Sequence, residues 1–573
     1  MDFSAIEHYS DSRYSFALNG KELKVRLRTK KNDDIKAVYC LCGNSEHFYH
    51  HHEEQKMEIE FSDQYFDYYS TIIKVSGNDA RLSYIFYIKD MNDKGYYFSE
   101  DGVTETYDFN FAYYNRFSVY YINESDIIGN KTFEGDVFYQ IFPERFRNGR
   151  GQKDYINRPW NSLDLKGPNN NRIQNVFLGG DFKGINEKVD YLKELGVDVV
   201  YLTPICESPS NHKYDVVDYF NFDPMFGTKE EFKALVDKLH ANGMKIVLDL
   251  VFNHSSKHNP MFVDVLKNGK NSKYYDFYFM HDETFKDSGV NYETFGFTDQ
   301  MPKLNSNNFD EQDYFVGVGK YFITEFGVDG YRLDVANEVS HTFWRYFKHE
   351  LRRVKKDVIL IGENWTNASS FLSASEFDSV MNYPFLVACK YFYVQKKFSA
   401  LDFANRLNTL LVRYTDNSNK VMLNLLDSHD TERFYNFIKP NKELYLLAYL
   451  TLISYTGMPM IYYGDEIFME GGTDPDNRRG MEWDSNEFGS KENQLFADIT
   501  KLRKHEAFKT GDIKVTSNDD LVIIERFNSE ESYQVIINNS GKDHKIDAKN
   551  VLLSNNFDSN TIHNLGFVVM KIK

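Results

Sequence analysis

"GYRLDVANE", residues 330–338, begins as a buried strand and ends as something else. Tyr331, Leu333 and Val335 form one apolar set, while Arg332 and Asp334 share the alternate face. An arginine and an aspartate aimed the same way at a strand end must pair or meet a third group. Seven more short apolar runs flank this one: "VFYQI" (137–141), "DVVYLTP" (198–204), "KIVLDLV" (245–251), "VILIGE" (358–363), "SVMNY" (379–383), "VMLNLLD" (421–427) and "PMIYYGDE" (459–466). Between most of them lie helical stretches such as "KEEFKALVDKLHANG" (229–243) and "HTFWRYFKHELRRVKK" (341–356). Eight apolar strands alternating with helices predict an α/β fold, a closed parallel (β/α)8 TIM barrel. An open doubly wound sheet is the alternative that pattern alone leaves standing; the count of eight favours the barrel.

The chain has 573 residues, too many for one ordinary core. Residues 1–125 alternate apolar and polar side chains in "KELKVRLRTK", "DYYSTIIKV" and "RLSYIFYIKD", which predicts an N-terminal β-sandwich. The barrel is assigned to 126–511, with an insertion after the third strand, about 254–310, long enough for a small subdomain. Residues 512–573 return to strands in "LVIIERF", "SYQVIINN" and "LGFVVMKIK", a C-terminal β-sandwich.

Net charge is −18, from 67 basic and 85 acidic side chains. Phosphate binding needs a basic surface, so nucleic acid and anionic membranes are not expected partners. No run of about 18 apolar residues predicts a membrane helix. The N-terminus lacks the basic and apolar regions of a secretory leader. Cys40 and Cys42 fall on one strand face, too constrained for an ordinary disulfide. With Cys206 and Cys389 they read as free thiols of a reducing cytoplasm. The cluster "HFYHHHEE" (47–54) is either a metal patch or a polar loop, and the loop is favoured. No metal ligand set is assigned.

The polar residues gather at strand ends. Asp249 and His254 end the third strand, Arg332 and Asp334 the fourth, and Glu363 the fifth, while His429 and Asp430 follow the seventh. In a parallel barrel these ends share one mouth. Like charges gathered there cost stability unless a function uses them. Three carboxylates without a nucleotide or metal pattern fit glycoside hydrolysis: one attacks the anomeric carbon, one protonates the leaving oxygen, and a third grips sugar hydroxyls. Arg332 beside Asp334 is expected to keep that carboxylate ionised and aligned.

On "DLVFNH", "GYRLDVANE", "GENW" and "LLDSHD", in this order and spacing, the sequence resembles the α-amylase family, glycoside hydrolase family 13. The resemblance implies Asp334 as nucleophile, Glu363 as general acid/base and Asp430 as transition-state stabiliser. It implies that Arg332, His254 and His429 hold the sugar at the cleavage point, with Tyr214 stacked under it and Asp249 in support. "FYQIFPERF", "SPSNHKYD", "MPKLN" and "GGTDPDNRRGMEWD" resemble the neopullulanase, cyclomaltodextrinase and maltogenic amylase subgroup. Asp474 and Arg478 would bind sugar on the non-reducing side. Trp365, Tyr383 and Glu338 would line the other side, against a core reading for the two aromatics and a helix-start reading for Glu338. The implied activity is retaining hydrolysis of α-1,4-glucosidic bonds in cyclomaltodextrins, maltooligosaccharides and pullulan, with transglycosylation. An oligo-1,6-glucosidase or α-glucosidase is the alternative, and a non-catalytic sugar-binding scaffold a remote one. The resemblance also implies a homodimer, with the N-terminal domain of one chain narrowing the site of the other.

The subgroup commonly holds calcium in the loop after the first barrel strand. Here Asn148, Asp154 and Asp181 keep ligand-like positions, but Arg150 and Lys153 stand where oxygen ligands are expected. No cofactor is therefore expected, with a cationic side chain among Asp154, Asp181 and Asn148 in the metal's stead. An exposed loop with solvent-facing charges is the alternative.

Overall fold

The computed structural model describes residues 1–573 except 12, 76–80, 110–114, 121–126, 166–172, 283–288, 484–488 and 519. The predicted first domain boundary, at 125, lies outside the described residues.

Eight parallel strands form the central sheet: β1 (Phe138–Ile141), β2 (Val199–Leu202), β3 (Lys245–Leu250), β4 (Gly330–Leu333), β5 (Ile359–Gly362), β6 (Ser379–Val380), β7 (Leu423–Leu425) and β8 (Met458–Tyr462). Neighbours run β6-β5-β4-β3-β2-β1-β8-β7, and a parallel bridge from Met381 to Leu423 closes the ring. The open-sheet alternative is thereby excluded. All eight runs read as strands lie on this sheet. Their residues are almost wholly buried, because helices cover the outside and side chains fill the inside. Gly330 shows how tight the wall is: a Cβ there would stand 2.2 Å from Ile359 Cγ2.

Alternation sets what faces inward. Tyr331 points out and donates its hydroxyl to Gly319 O, at 2.6 Å, in the helix Phe309–Phe326. Arg332 therefore points into the barrel, beside its register partner Asp249 on β3. The helix Lys229–Ala241 starts at Thr228, whose side chain and Glu231 form a capping box.

Among the described residues the N-terminal domain is an antiparallel sheet of nine strands between Ser15 and Tyr120, eight on one path and the ninth branching from it. The C-terminal domain is a six-stranded antiparallel sheet from Asp512 to Lys571. Both are fastened to the barrel. Arg26, on the N-terminal strand Glu22–Lys30, is fully buried and pairs with Asp416 and Glu60, while Lys24 Nζ lies 2.6 Å from Asp416 Oδ2. Burial pushes the Asp416 carboxyl up, but Arg26 and Lys24 overcome it and leave it well below the usual range. Asn408 Nδ2 donates to Ser62 O (2.9 Å) and Val515 O (3.1 Å), joining all three parts. The four cysteines are buried free thiols. Among the described residues no helix is long and apolar enough to cross a membrane, and no His/Cys/Asp/Glu group suited to a metal occurs, the 47–54 cluster included.

Candidate active site

The ladder of β3, β4 and β5 continues one step past the strands and places the carboxylates. The Asp334 N–H donates to Leu250 O (3.0 Å) and the Glu363 N–H to Leu333 O (2.9 Å). Asp334 and Glu363 thus leave adjacent strand ends at one level. Next to Asp334 the chain turns sharply. Val335 adopts φ 44°, ψ 44°, a left-handed conformation costly for a β-branched residue. The turn aims the Val335 N–H at Glu363 Oε2, 2.9 Å away.

Arg332 is the hub. Its Nη1 lies 2.8 Å from Asp334 Oδ1 and 2.9 Å from both Asp249 oxygens. Its Nη2 lies 2.9 Å from Glu363 Oε2 and 3.8 Å from Asp430 Oδ2. Four carboxyls surround one buried guanidinium. Carboxyls crowded in a low-dielectric site oppose one another's ionisation. The effect is visible on Asp334. Burial drives its carboxyl well above the usual range, Arg332 opposes this, and Glu363, Asp249 and Asp430 push it up again. Arg332 contacts Asp334 and is shared with Asp249 and Glu363. Asp249 is pushed up to about 6, by burial against the pull of Arg332. It also accepts the hydroxyls of Tyr201 (2.7 Å) and Tyr214 (2.9 Å).

The two histidines are neutral donors. Burial is the main cause that lowers His429 well below its ordinary range, with Arg478 and Arg332 adding to it. Gln140 Oε1 takes the His429 backbone N–H (3.3 Å), which turns the Gln140 amide nitrogen to His429 Nδ1 at 3.0 Å. The ring proton then sits on Nε2, 3.2 Å from Asp430 Oδ2 and 2.5 Å from the Tyr214 hydroxyl. His254 is lowered to about 3, chiefly by burial and then by Lys303. Its Nδ1 faces the Asn253 amide nitrogen at 3.2 Å, and its Nε2 is buried without a protein partner. A buried orphan donor facing a cleft is a position for a ligand hydroxyl.

The cleft has a volume of about 470 Å³; its walls include Tyr214, His254, Asp334, Glu363, Asp430, Asp474, Arg478, Glu338 and Trp365. Arg332, Asp249 and His429 lie buried just behind it. Arg478 reaches Asp430 Oδ1 (3.4 Å) and Asp474 Oδ1 (3.2 Å), so these three share one wall. On the opposite side Trp365 is 49% exposed, and its Nε1 donates to Glu363 Oε1 at 3.1 Å. Tyr383 is only 2% exposed and stacks flat behind Trp365, 3.8 Å between ring centres. The core reading therefore holds for Tyr383, which backs Trp365 and does not line the cleft. Glu338 is bonded by Lys303 Nζ at 3.3 Å, which ties the insertion to the end of β4.

Sequence reasoning missed Phe295, which stacks on His254 at 4.6 Å, as well as Tyr201, Gln140 and His212. Phe295 lies in an aromatic stretch of the insertion, where nothing distinguishes a wall residue from a core one. A larger cleft of about 940 Å³, lined in part by Trp160 and Trp483, has no gathered carboxylates among the described residues.

The family described as alpha amylase, catalytic domain, matches residues 140–528, and that described as alpha amylase, N-terminal ig-like domain, matches 1–123. A maltogenic alpha-amylase of Bacillus acidopullulyticus is 38% identical, covering 94% of this chain and 92% of the relative. A cyclomaltodextrinase of a Bacillus species is also 38% identical, covering 95% and 97%. A solved cyclomaltodextrinase structure superposes with a TM-score of 0.90 at 33% identity, over 99% of this chain and 100% of that one. With the strand-end carboxylates, the shared guanidinium and these matches in agreement from the N-terminal domain through the barrel, the chain belongs to the alpha-amylase family.

Proposed function

We propose that the protein is a retaining glycoside hydrolase acting on α-1,4-glucosidic bonds in cyclomaltodextrins, maltooligosaccharides and pullulan, with transglycosylation as a side reaction. The observation that carries this reading is the single guanidinium of Arg332 holding Asp334 and Glu363 on its two terminal nitrogens. Carboxyls gathered so closely suit direct attack, whereas inversion needs room for a water between them.

In this reading Asp334 attacks the anomeric carbon. Glu363 gives its proton to the departing oxygen, and the glycosyl–Asp334 ester forms. Glu363, now ionised, takes a proton from water and the ester is hydrolysed. A sugar hydroxyl in place of that water gives transfer. Asp430 and the N–H groups of His254 and His429 hold hydroxyls of the reacting sugar. Tyr214 supplies the face beneath it. Asp474 and Arg478 bind the non-reducing side, and Trp365 offers its open face to the leaving sugar, with Glu338 nearby. Asp249 braces Arg332 and Tyr214.

Product analysis on β-cyclodextrin, pullulan and soluble starch tests the reading. Ring opening of β-cyclodextrin to linear maltooligosaccharides is the expected result. A protein that leaves β-cyclodextrin and maltodextrins intact and splits only isomaltose-type bonds would contradict it, as would one without any turnover.

We infer a cytoplasmic location from the four free thiols. We also infer a homodimer in which the N-terminal domain of one chain narrows the cleft of the other. Sedimentation velocity is expected to give the mass of two chains at micromolar concentration; the mass of one chain would refute the dimer.

A further inference from the structure

The loop after β1 holds a cation of its own. Asp181, fully buried, caps the helix Phe182–Glu187: its Oδ1 accepts the N–H groups of Gly184 (2.7 Å) and Gly149 (3.1 Å). Its Oδ2 faces the Lys153 ammonium at 2.6 Å, and the same ammonium donates to Gly179 O at 2.9 Å. Lys153 thus stands between a buried carboxylate and a backbone carbonyl, two oxygens suited to a hard cation.

The other oxygens of the loop do not complete a calcium site. Asn148 Oδ1 accepts the N–H groups of Arg150 (3.1 Å) and Gly151 (2.8 Å), so it is turned to its own loop. Asp154 is exposed. Arg150 leaves the loop altogether and pairs with Glu231 at the start of the helix Lys229–Ala241, Nε to Oε1 being 3.2 Å. Calcium takes six to eight oxygen ligands. Here two converge, and an ammonium already occupies the space between them. The residues present do not fit the metal that the resemblance implies. The expected placement is also corrected in part: Lys153 sits on Asp181 and Gly179, not on Asp154 or Asn148, and Arg150 takes no part.

We propose that Lys153 is a built-in replacement for a divalent cation, bracing the non-reducing-side wall of the cleft and making the fold independent of metal. The brace runs through one peptide. The Gly179 carbonyl receives Lys153, and the Gly179 N–H donates to Glu144 Oε1 at 2.6 Å. Glu144 pairs with Arg145, whose Nη1 donates to Arg478 O at 2.6 Å. Arg478 is the residue that contacts Asp474 and Asp430. The ammonium carries a desolvation cost: burial lowers the Lys153 pKa, and Asp181 pulls it back up. A buried pair of this kind adds little net stability, but removing one partner leaves a buried charge uncompensated and is costly.

Thermal melting of the full chain tests this. The wild-type protein is expected to melt at one temperature in EDTA and in millimolar calcium. Lys153→Ala is expected to melt several degrees lower and to recover part of the loss in methylammonium, which can take the place of the missing ammonium, but not in millimolar calcium, for which two oxygens are too few. Lys153→Met, which keeps the stem and removes the charge, is expected to melt low as well. A wild-type protein that loses several degrees in EDTA and regains them with calcium would overturn the proposal. So would a Lys153→Met variant that melts with the wild type, or a destabilised Lys153→Ala variant that methylammonium does not restore.

Discussion

Asp334→Asn is expected to lower kcat by at least about 10⁴-fold while leaving the protein as stable as before or slightly more so. The loss follows from the role: an amide does not displace at an anomeric carbon, and removing the nucleophile of a concerted group forfeits nearly all of its effect. The stability follows from the surroundings. Asparagine has the shape of aspartate and keeps an oxygen toward Arg332 Nη1, now 2.8 Å from Asp334 Oδ1. Arg332 retains Asp249 and Glu363 as partners. One negative charge also leaves a group that carries too many, so the strain of gathering them falls. Initial rates on maltodextrin together with a melting curve check both halves. A folded variant with near-normal turnover would remove Asp334 from the mechanism.

Glu363→Gln is expected to cost about 10²–10⁴-fold on natural glucans, the usual contribution of general acid–base catalysis. The glutamine oxygen can still accept from Val335 N, 2.9 Å from Oε2 in the native protein, while the ion pair with Arg332 Nη2 is lost. The amide nitrogen would then meet the Trp365 N–H, which donates to Oε1 at 3.1 Å, and two donors face each other. Trp365 is half exposed and is expected to swing away. The loss should depend on the leaving group. An aryl α-glycoside of an acidic phenol leaves without a proton, so its first, ester-forming step should fall far less than that of maltotriose. Equal loss of that step on both substrates would show that Glu363 does not act as the acid.

Much of this site was legible because it is written in short range. The alternation in "GYRLDVANE" puts Arg332 and Asp334 on one face, and strand order then delivers Asp249 and Glu363 on either side. What was not legible depends on distant partners. Which ring nitrogen of His429 carries the proton rests on Gln140, 289 positions away in sequence. Alternation also says which residues share a face without saying what covers that face. In "KELKVRLRTK" the alternation puts Arg26 on the polar face, and that face is sealed against the barrel by Asp416 and Tyr414. Likewise, Tyr383 carries no local mark that separates a cleft wall from a backing core residue; only its 2% exposure decides. The left-handed turn at Val335 runs against the preference of its own side chain, so no propensity argument predicts it.

Retention through a glycosyl–Asp334 ester is tested most directly by proton NMR of the first products released from maltotetraose, recorded before mutarotation. The geometry around Arg332 predicts that the α-anomer of the new reducing end appears first and the β-anomer only later, by equilibration. A β-anomer present from the first spectra would mean inversion, and Asp334 would not be the nucleophile.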